Sequence, residues 1–167
     1  MSTLRDVRAG DLETLRVLNN AEVPHVSGVD LGALTRYTET APYFRVAERD
    51  GDLLGFLIAM APDSDYDSPN FLWFRARYDS FVYCDRILVS PAAKGMGLGR
   101  AFYQDLAVFA QGRAPLITCE VNTRPENPDS MAFHERLGFR EVGRQQTEGG
   151  AKEVALLARE ITTPPHN

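Results

Sequence analysis

The chain has 167 residues, 44% of them hydrophobic and 25% charged, with a formal net charge of −5 at neutral pH. That size and apolar content suit one domain able to bury a core, and the acidic balance argues against a nucleic-acid partner, which is gripped mainly by Lys and Arg clusters on phosphates. No run approaches the roughly 18 apolar residues of a membrane span, and MSTLRDVRAG lacks the apolar core of a signal peptide, so a cytoplasmic protein without a membrane partner is expected.

In chain order, TLRDV reads as a short strand, and Asp11 in GDLETLRVLNN is expected to cap a helix whose apolar stripe is Leu12, Leu15 and Leu18. After a loop with Pro24, His25 and Gly28, DLGALTRYT reads as a second short helix. YFRVAE and LLGFLIAM flank RDGD, and Asp-Gly between two apolar runs predicts a hairpin. Residues 61–79 read as a long connecting loop ending in the aromatics Phe71, Trp73, Phe74 and Tyr78. FVYCDRILV is apolar nearly throughout, as for a strand covered on both faces, with Asp85 and Arg86 interrupting it. A helix over Leu98–Gln111 and a strand PLITCEV follow. NPDSMAFHERLGF predicts a short helix with Asn127 as cap, Pro128 in first position and Gly138 as stop. Two strands, FREVGRQQ and KEVALLAR, close the chain around EGGA. One domain over 1–160 and a frayed tail over 161–167 are expected. Cys84 and Cys119 lie in apolar runs, too few and too far apart for a zinc ribbon or a redox pair, and no metal is expected.

The stretch SPAAKGMGLGRAF places Gly95, Gly97 and Gly99 at alternate positions before a helix. A strand, a glycine-rich turn and a helix start gather backbone N–H groups at the positive end of a helix dipole. Lys94 and Arg100 flank the turn, and no acidic residue lies between Ser90 and Gln104. The pattern points to a ligand carrying phosphate, the other reading of a glycine turn alone being a connection with no ligand. The spacing GxGxG does not fit a dinucleotide fingerprint, and no Gly-Lys-Ser/Thr is present for a Walker loop.

The run Lys94-Gly95-Met96-Gly97-Leu98-Gly99 resembles the acetyl-coenzyme A pyrophosphate loop of the GNAT N-acetyltransferase superfamily, Arg/Gln-x-x-Gly-x-Gly/Ala, with Lys in the first position. Asn127 to Phe139 resembles the second signature, Asn-x-x-Ala-x-x-Phe/Leu-Tyr-x-x-x-Gly-Phe, and the order of elements from Thr3 to Arg159 is similar to the family's. YCDRILVSP, CEVNTRPENP and FHERLGF look like a bacterial branch of predicted GNAT acetyltransferases. The resemblance implies an α+β (mixed α/β) fold: a twisted, mostly antiparallel sheet of six to seven strands, helices on both faces, and a central pair, Phe81–Val89 and Leu116–Val121, splayed to admit the pantetheine arm. Backbone groups of Leu88 and Val89 would bind that arm. Lys94, Gly95, Met96, Gly97, Leu98, Gly99 and Arg100 would hold the pyrophosphate, with Asn122, Asn127, Ser130, Phe133 and His134 lining the far side of the cofactor. Positions 130, 133, 134 and 137 share one helix face by their spacing.

Acetyl transfer to an amine needs a neutral amine, a polarised thioester carbonyl and help for the departing thiolate. An alkyl amine with a pKa of ~10.4 is protonated at neutral pH, so a carboxylate or relayed water should take its proton. Asp85 is the first candidate. Its other reading is an ion pair, although adjacent strand residues point to opposite faces, which disfavours a direct pair with Arg86. Glu120 is the second candidate. A backbone N–H at Leu88 or Val89 would polarise the carbonyl. Where the family usually has Tyr, this chain has His134, whose ordinary pKa of ~6.5 leaves it partly cationic and able to donate a proton; the other reading is a helix histidine bonded to a backbone carbonyl. Trp73, Tyr78 and Tyr83 could wall an acceptor pocket, with a dimer contact or core packing as alternatives, and Arg75 and Arg77 could grip an acceptor carboxylate. The expected function is an acetyl-coenzyme A-dependent N-acetyltransferase acting by direct attack in a ternary complex on a primary amine of a small molecule, amino-acid derivative or peptide. The alternative is a non-catalytic acyl-coenzyme A sensor. The resemblance admits a homodimer.

Overall fold

A computed structural model describes residues 2–161; the expected tail lies, from residue 162 onward, outside the described residues, as does His166. Seven strands form one sheet in the order β1-β2-β3-β4-β5-β7-β6, where β1 is Thr3–Asp6, β2 Tyr43–Arg49, β3 Asp52–Met60, β4 Val82–Val89, β5 Leu116–Arg124, β6 Arg140–Thr147 and β7 Lys152–Glu160. Five α-helices accompany them: α1 Leu12–Asn20, α2 Leu31–Thr40, α3 Pro69–Arg77, α4 Leu98–Ala110 and α5 Pro128–Arg136. β1–β2, β2–β3, β5–β7 and β6–β7 are antiparallel, and β4–β5 is parallel. This is the mixed, mostly antiparallel architecture expected.

Contacts divide the chain into two compact units: the chain up to Met60 with Cys84–Leu106, and Ala61–Tyr83 with the chain from Ala107 onward. In the first unit the predicted hairpin forms with Arg49 paired to Asp52. Asp50 and Gly51 take φ values of 53° and 84°, the two left-handed residues that a tight hairpin turn demands. Tyr43 and Arg45 of β2 reach Asp105 of α4 at 2.6 and 2.9 Å. Arg5, registered with Val46, holds Asp11 ahead of α1 at 2.9 and 3.0 Å. Residues 43 and 45 alternate with 46 along the strand, so helices cover both faces of this unit's strands. Asp11 does not cap α1. Its carboxylate accepts from the Arg8 N–H at 2.7 Å and from Arg5 instead, because a short 3-10 turn, Ala9–Asp11, precedes the helix. The cap of α2 is regular, with Asp30 Oδ1 accepting from the Ala33 N–H at 2.7 Å.

In the second unit, the expected loop over 61–79 contains α3. Pro69 sits in its first turn, where its missing N–H costs nothing, and Phe71 and Phe74, three residues apart, are fully buried. The aromatics flanking that pair hid its helical spacing. β5 pairs with β7 from Leu116↔Glu160 to Asn122↔Val154, and β7 pairs with β6. β5 runs to Arg124, three residues past the expected end at Val121.

Candidate active site

In the first unit, β4 leads into the glycine-rich turn. The Ser90 N–H donates to the Leu54 carbonyl at 2.7 Å, and a 3-10 turn, Pro91–Ala93, buries Ala93. Gly95 and Gly97 take φ values of 83° and 76°, which side-chain-bearing residues rarely adopt. Among the described residues, a Cβ on either would meet no atom within 4 Å beyond its chain neighbours. Backbone conformation therefore demands glycine there, and the space beside both residues is open. The Gly97 carbonyl accepts from the Ala101 N–H at 3.0 Å, so helix geometry leaves the N–H groups of Leu98, Gly99 and Arg100 without intrahelical acceptors. Leu98 anchors this end with a side chain 3% exposed, while Lys94, Met96 and Arg100 are exposed. Upstream, a Cβ on Gly55 of β3 would overlap the Leu88 carbonyl oxygen. Gly55 thus sets the position of the Leu88–Val89 backbone, and the sequence signal for it is an isolated glycine inside a strand pattern.

Asp85 is placed differently from the alternation argument. Its Oδ2 accepts from Arg86 Nε at 2.8 Å, with the Arg86 and Asp85 side chains 7% and 4% exposed. Arg86 also donates to Asn19 Oδ1 at 3.0 Å, to the Ser27 carbonyl at 3.1 Å and to the Tyr37 hydroxyl at 3.1 Å, with the Tyr37 ring 5.3 Å away. Strand alternation governs Cβ directions, but a guanidinium on a long flexible stem folds back to its neighbour. The ion pair binds β4 to α1, α2 and the connection between them.

In the second unit, the Tyr83 hydroxyl donates to Glu120 Oε2 at 2.7 Å. Tyr83 is fully buried, with the Phe71 and Phe74 rings of α3 at 5.6 and 5.8 Å. Tyr78 stacks on Phe74 at 6.4 Å. Trp73 lies so close over Gly143 of β6 that a Cβ there would overlap its indole; the Arg77 guanidinium covers the ring at 3.8 Å. Of the three readings open for Trp73, Tyr78 and Tyr83, core packing is the one with contacts in this unit. Arg75 and Arg77 are exposed. The sequence reading passed over Thr118. It is fully buried two residues before Glu120, and its hydroxyl has no hydrogen-bond partner among the described residues.

On α5, Asn127 Oδ1 accepts from the Ser130 N–H at 3.4 Å, and the Asn122 carbonyl accepts from the Asn127 N–H at 3.2 Å. His134 Nδ1 lies 2.7 Å from the Ser130 carbonyl oxygen and 3.3 Å from its hydroxyl. A carbonyl only accepts, so Nδ1 carries a proton. The Phe133 and Phe139 rings meet the imidazole edge-on at 5.2 and 5.4 Å. Burial pushes its pKa below the ordinary value, against the raising effect of the Ser130 carbonyl. Of the two readings of His134, the bond to a backbone carbonyl is the one with a contact here.

Residues 13–139 match the acetyltransferase (GNAT) family. The chain belongs to the GNAT family. Over 75 residues it is 29% identical to the peptidyl-lysine N-acetyltransferase YjaB of Escherichia coli strain K12, covering 45% of this chain and 47% of YjaB, about half of that relative's length. Among solved structures, the ribosomal-protein-S18-alanine N-acetyltransferase of Escherichia coli superposes with a TM-score of 0.74 at 18% identity over 100% of this chain and 98% of that one. Ard1 of Thermoplasma volcanium gives 0.79 at 14% identity over 96% and 98%. NAA60 of Arabidopsis thaliana, solved with a bisubstrate analogue, gives 0.76 at 18% identity over 97% and 99%. At such identities these likenesses speak for the GNAT fold alone. Among the described residues, no helix is long and apolar enough to cross a membrane, and no three His, Cys, Asp or Glu side chains are grouped to hold a metal.

Proposed function

We propose that this GNAT chain is an acetyl-coenzyme A-dependent N-acetyltransferase of primary amines in small molecules, amino-acid derivatives or peptides. The observation that carries this reading is the turn at Gly95–Gly97, with its left-handed glycines, open flank and three helix N–H groups lacking intrahelical acceptors. Such a turn fits a pyrophosphate, and Lys94 and Arg100 add charge. When bound, acetyl-coenzyme A supplies the acetyl thioester. The Leu88–Val89 backbone, against which Gly55 packs, would hold the pantetheine arm, and a backbone N–H there would polarise the thioester carbonyl. By the family resemblance, Asn122, Asn127, Ser130, Phe133 and His134 would also contact the cofactor.

Glu120 takes the proton of the acceptor ammonium. Asp85 is the poorer base, because protonating it would leave the buried Arg86 guanidinium without its counter-charge. Glu120 has a phenol for a partner, and a phenol can donate to a carboxylate or accept from a carboxylic acid. His134, neutral and bonded to Ser130, orients α5 and donates no proton to the thiolate. The partial likeness to a peptidyl-lysine acetyltransferase, and the fold shared with an alanine N-acetyltransferase, put lysine side chains and peptide amino termini in the first acceptor panel. With acetyl-coenzyme A, at least one of these amines is acetylated. The Glu120→Gln variant turns over at least about a hundredfold more slowly, and Asp85→Asn is judged against it at equal cofactor affinity. Turnover lost only in Asp85→Asn would transfer the role to Asp85; cofactor binding without turnover on any amine would favour a sensor.

A further inference from the structure

Packing does not account for the Thr118 hydroxyl. Valine has the same shape without a polar atom that must be satisfied when buried. β5 pairs with β7 without irregularity from Leu116 to Asn122, so Thr118 and Glu120, two residues apart, present their side chains on one face. In the parallel ladder Thr118 is the partner of Tyr83, whose hydroxyl reaches Glu120. Three oxygen-bearing side chains therefore share this face. Apolar residues pack beside them: on β7, Ala158 stands opposite Thr118 and Leu156 opposite Glu120, both buried, and α3 covers Tyr83 with Phe71 and Phe74. Tyr83 brings a titratable phenol to Glu120.

We propose that Thr118 is a positioning residue for Glu120: its hydroxyl anchors one water molecule that hydrogen-bonds the carboxylate and relays the acceptor's proton to it. A buried water needs two to four polar partners, and Thr118, Glu120 and the Tyr83 oxygen supply three. In the relay an N–H bond of the ammonium breaks as the water accepts that proton, and the water gives another of its protons to the carboxylate. The amine ends neutral, Glu120 ends as the carboxylic acid and the water is regenerated. The inference rests on Glu120 as the base of the proposed acetyltransferase.

The test compares Thr118→Val, which keeps the shape, with Thr118→Ser, which keeps the hydroxyl. In the protein without cofactor, titration of Glu120 is followed by NMR on side-chain-labelled glutamate, with Glu120→Gln giving the assignment. Thr118→Val raises the pH of that titration by about one unit, since the charged carboxylate loses a hydrogen bond, and Thr118→Ser restores it. On an accepted amine, Thr118→Val lowers kcat about tenfold and moves the acid limb of the pH profile with the NMR titration, without lowering the melting temperature. An unmoved titration overturns the inference, as does a loss of kcat that tracks a loss of melting temperature and is not restored by Ser. If the unmodified protein acetylates no amine, the acetyltransferase reading fails by itself, and the NMR titration still decides whether Thr118 acts on Glu120.

Discussion

Gly97 combines a φ of 76° with an open flank, the flank that a phosphate would approach in the proposed function. The Gly97→Val variant would strain the backbone and put a branched group where a phosphate approaches. We expect its dissociation constant for acetyl-coenzyme A, read by calorimetry, to rise at least about tenfold, which is about 1.4 kcal/mol; unchanged affinity would remove the phosphate from this turn. His134 makes a pH prediction. Its pKa in the folded chain lies below the ordinary ~6.5, so folding favours the neutral ring. Its contribution to stability is complete above ~6.5 and is lost as the pH falls from there towards the folded value, because the unfolded chain then binds more protons. Melting temperatures measured from pH 8 to pH 5 should therefore fall more steeply for the unmodified protein than for His134→Gln. Equal slopes would contradict a neutral, buried His134.

Among the helices, α3 is the one whose spacing is hidden in the sequence by its run of aromatics. Its burial predicts that Phe74→Ala costs about 3–5 kcal/mol in denaturant unfolding. The seat of Trp73 gives a sharper check. Gly143→Ala collides with the indole and should destabilise by about 1–3 kcal/mol, whereas in a Trp73→Ala background the same substitution should cost almost nothing. Additive costs in that double-mutant cycle would mean that the two residues do not meet. What was legible and what was not divides along range. The Asp50-Gly51 hairpin, the Asn127 cap and the Gly95–Gly97 turn are written in neighbouring residues, where φ preference and capping chemistry decide the outcome. The Tyr83–Glu120 bond joins residues 37 apart, and the orphaned Thr118 hydroxyl is a property of everything packed around it; neither leaves a local signature. Strand alternation disfavours a pair between the neighbours Asp85 and Arg86, but it governs Cβ directions and not the reach of a side chain as long as Arg86.

For the whole molecule, composition and fold work together. For an acidic chain with a net charge of −5 to bind a polyanionic cofactor, as proposed, it would need local donors, and the turn between β4 and α4 offers backbone N–H groups with Lys94 and Arg100 on either side. Family membership, from the match over residues 13–139, sets the chemistry to be tested, and the acceptor is open to the amine panel. The proposed function requires that this chain bind acetyl-coenzyme A. A thermal melt with acetyl-coenzyme A, with free coenzyme A and with NAD tests it most directly. At a ligand concentration about 100 times the dissociation constant, the stabilisation is about 2.7 kcal/mol, roughly 5 to 10 °C for a chain of this size. A rise of that order with both coenzyme A species and none with NAD is the result predicted; no rise with either coenzyme A species at millimolar ligand would contradict it.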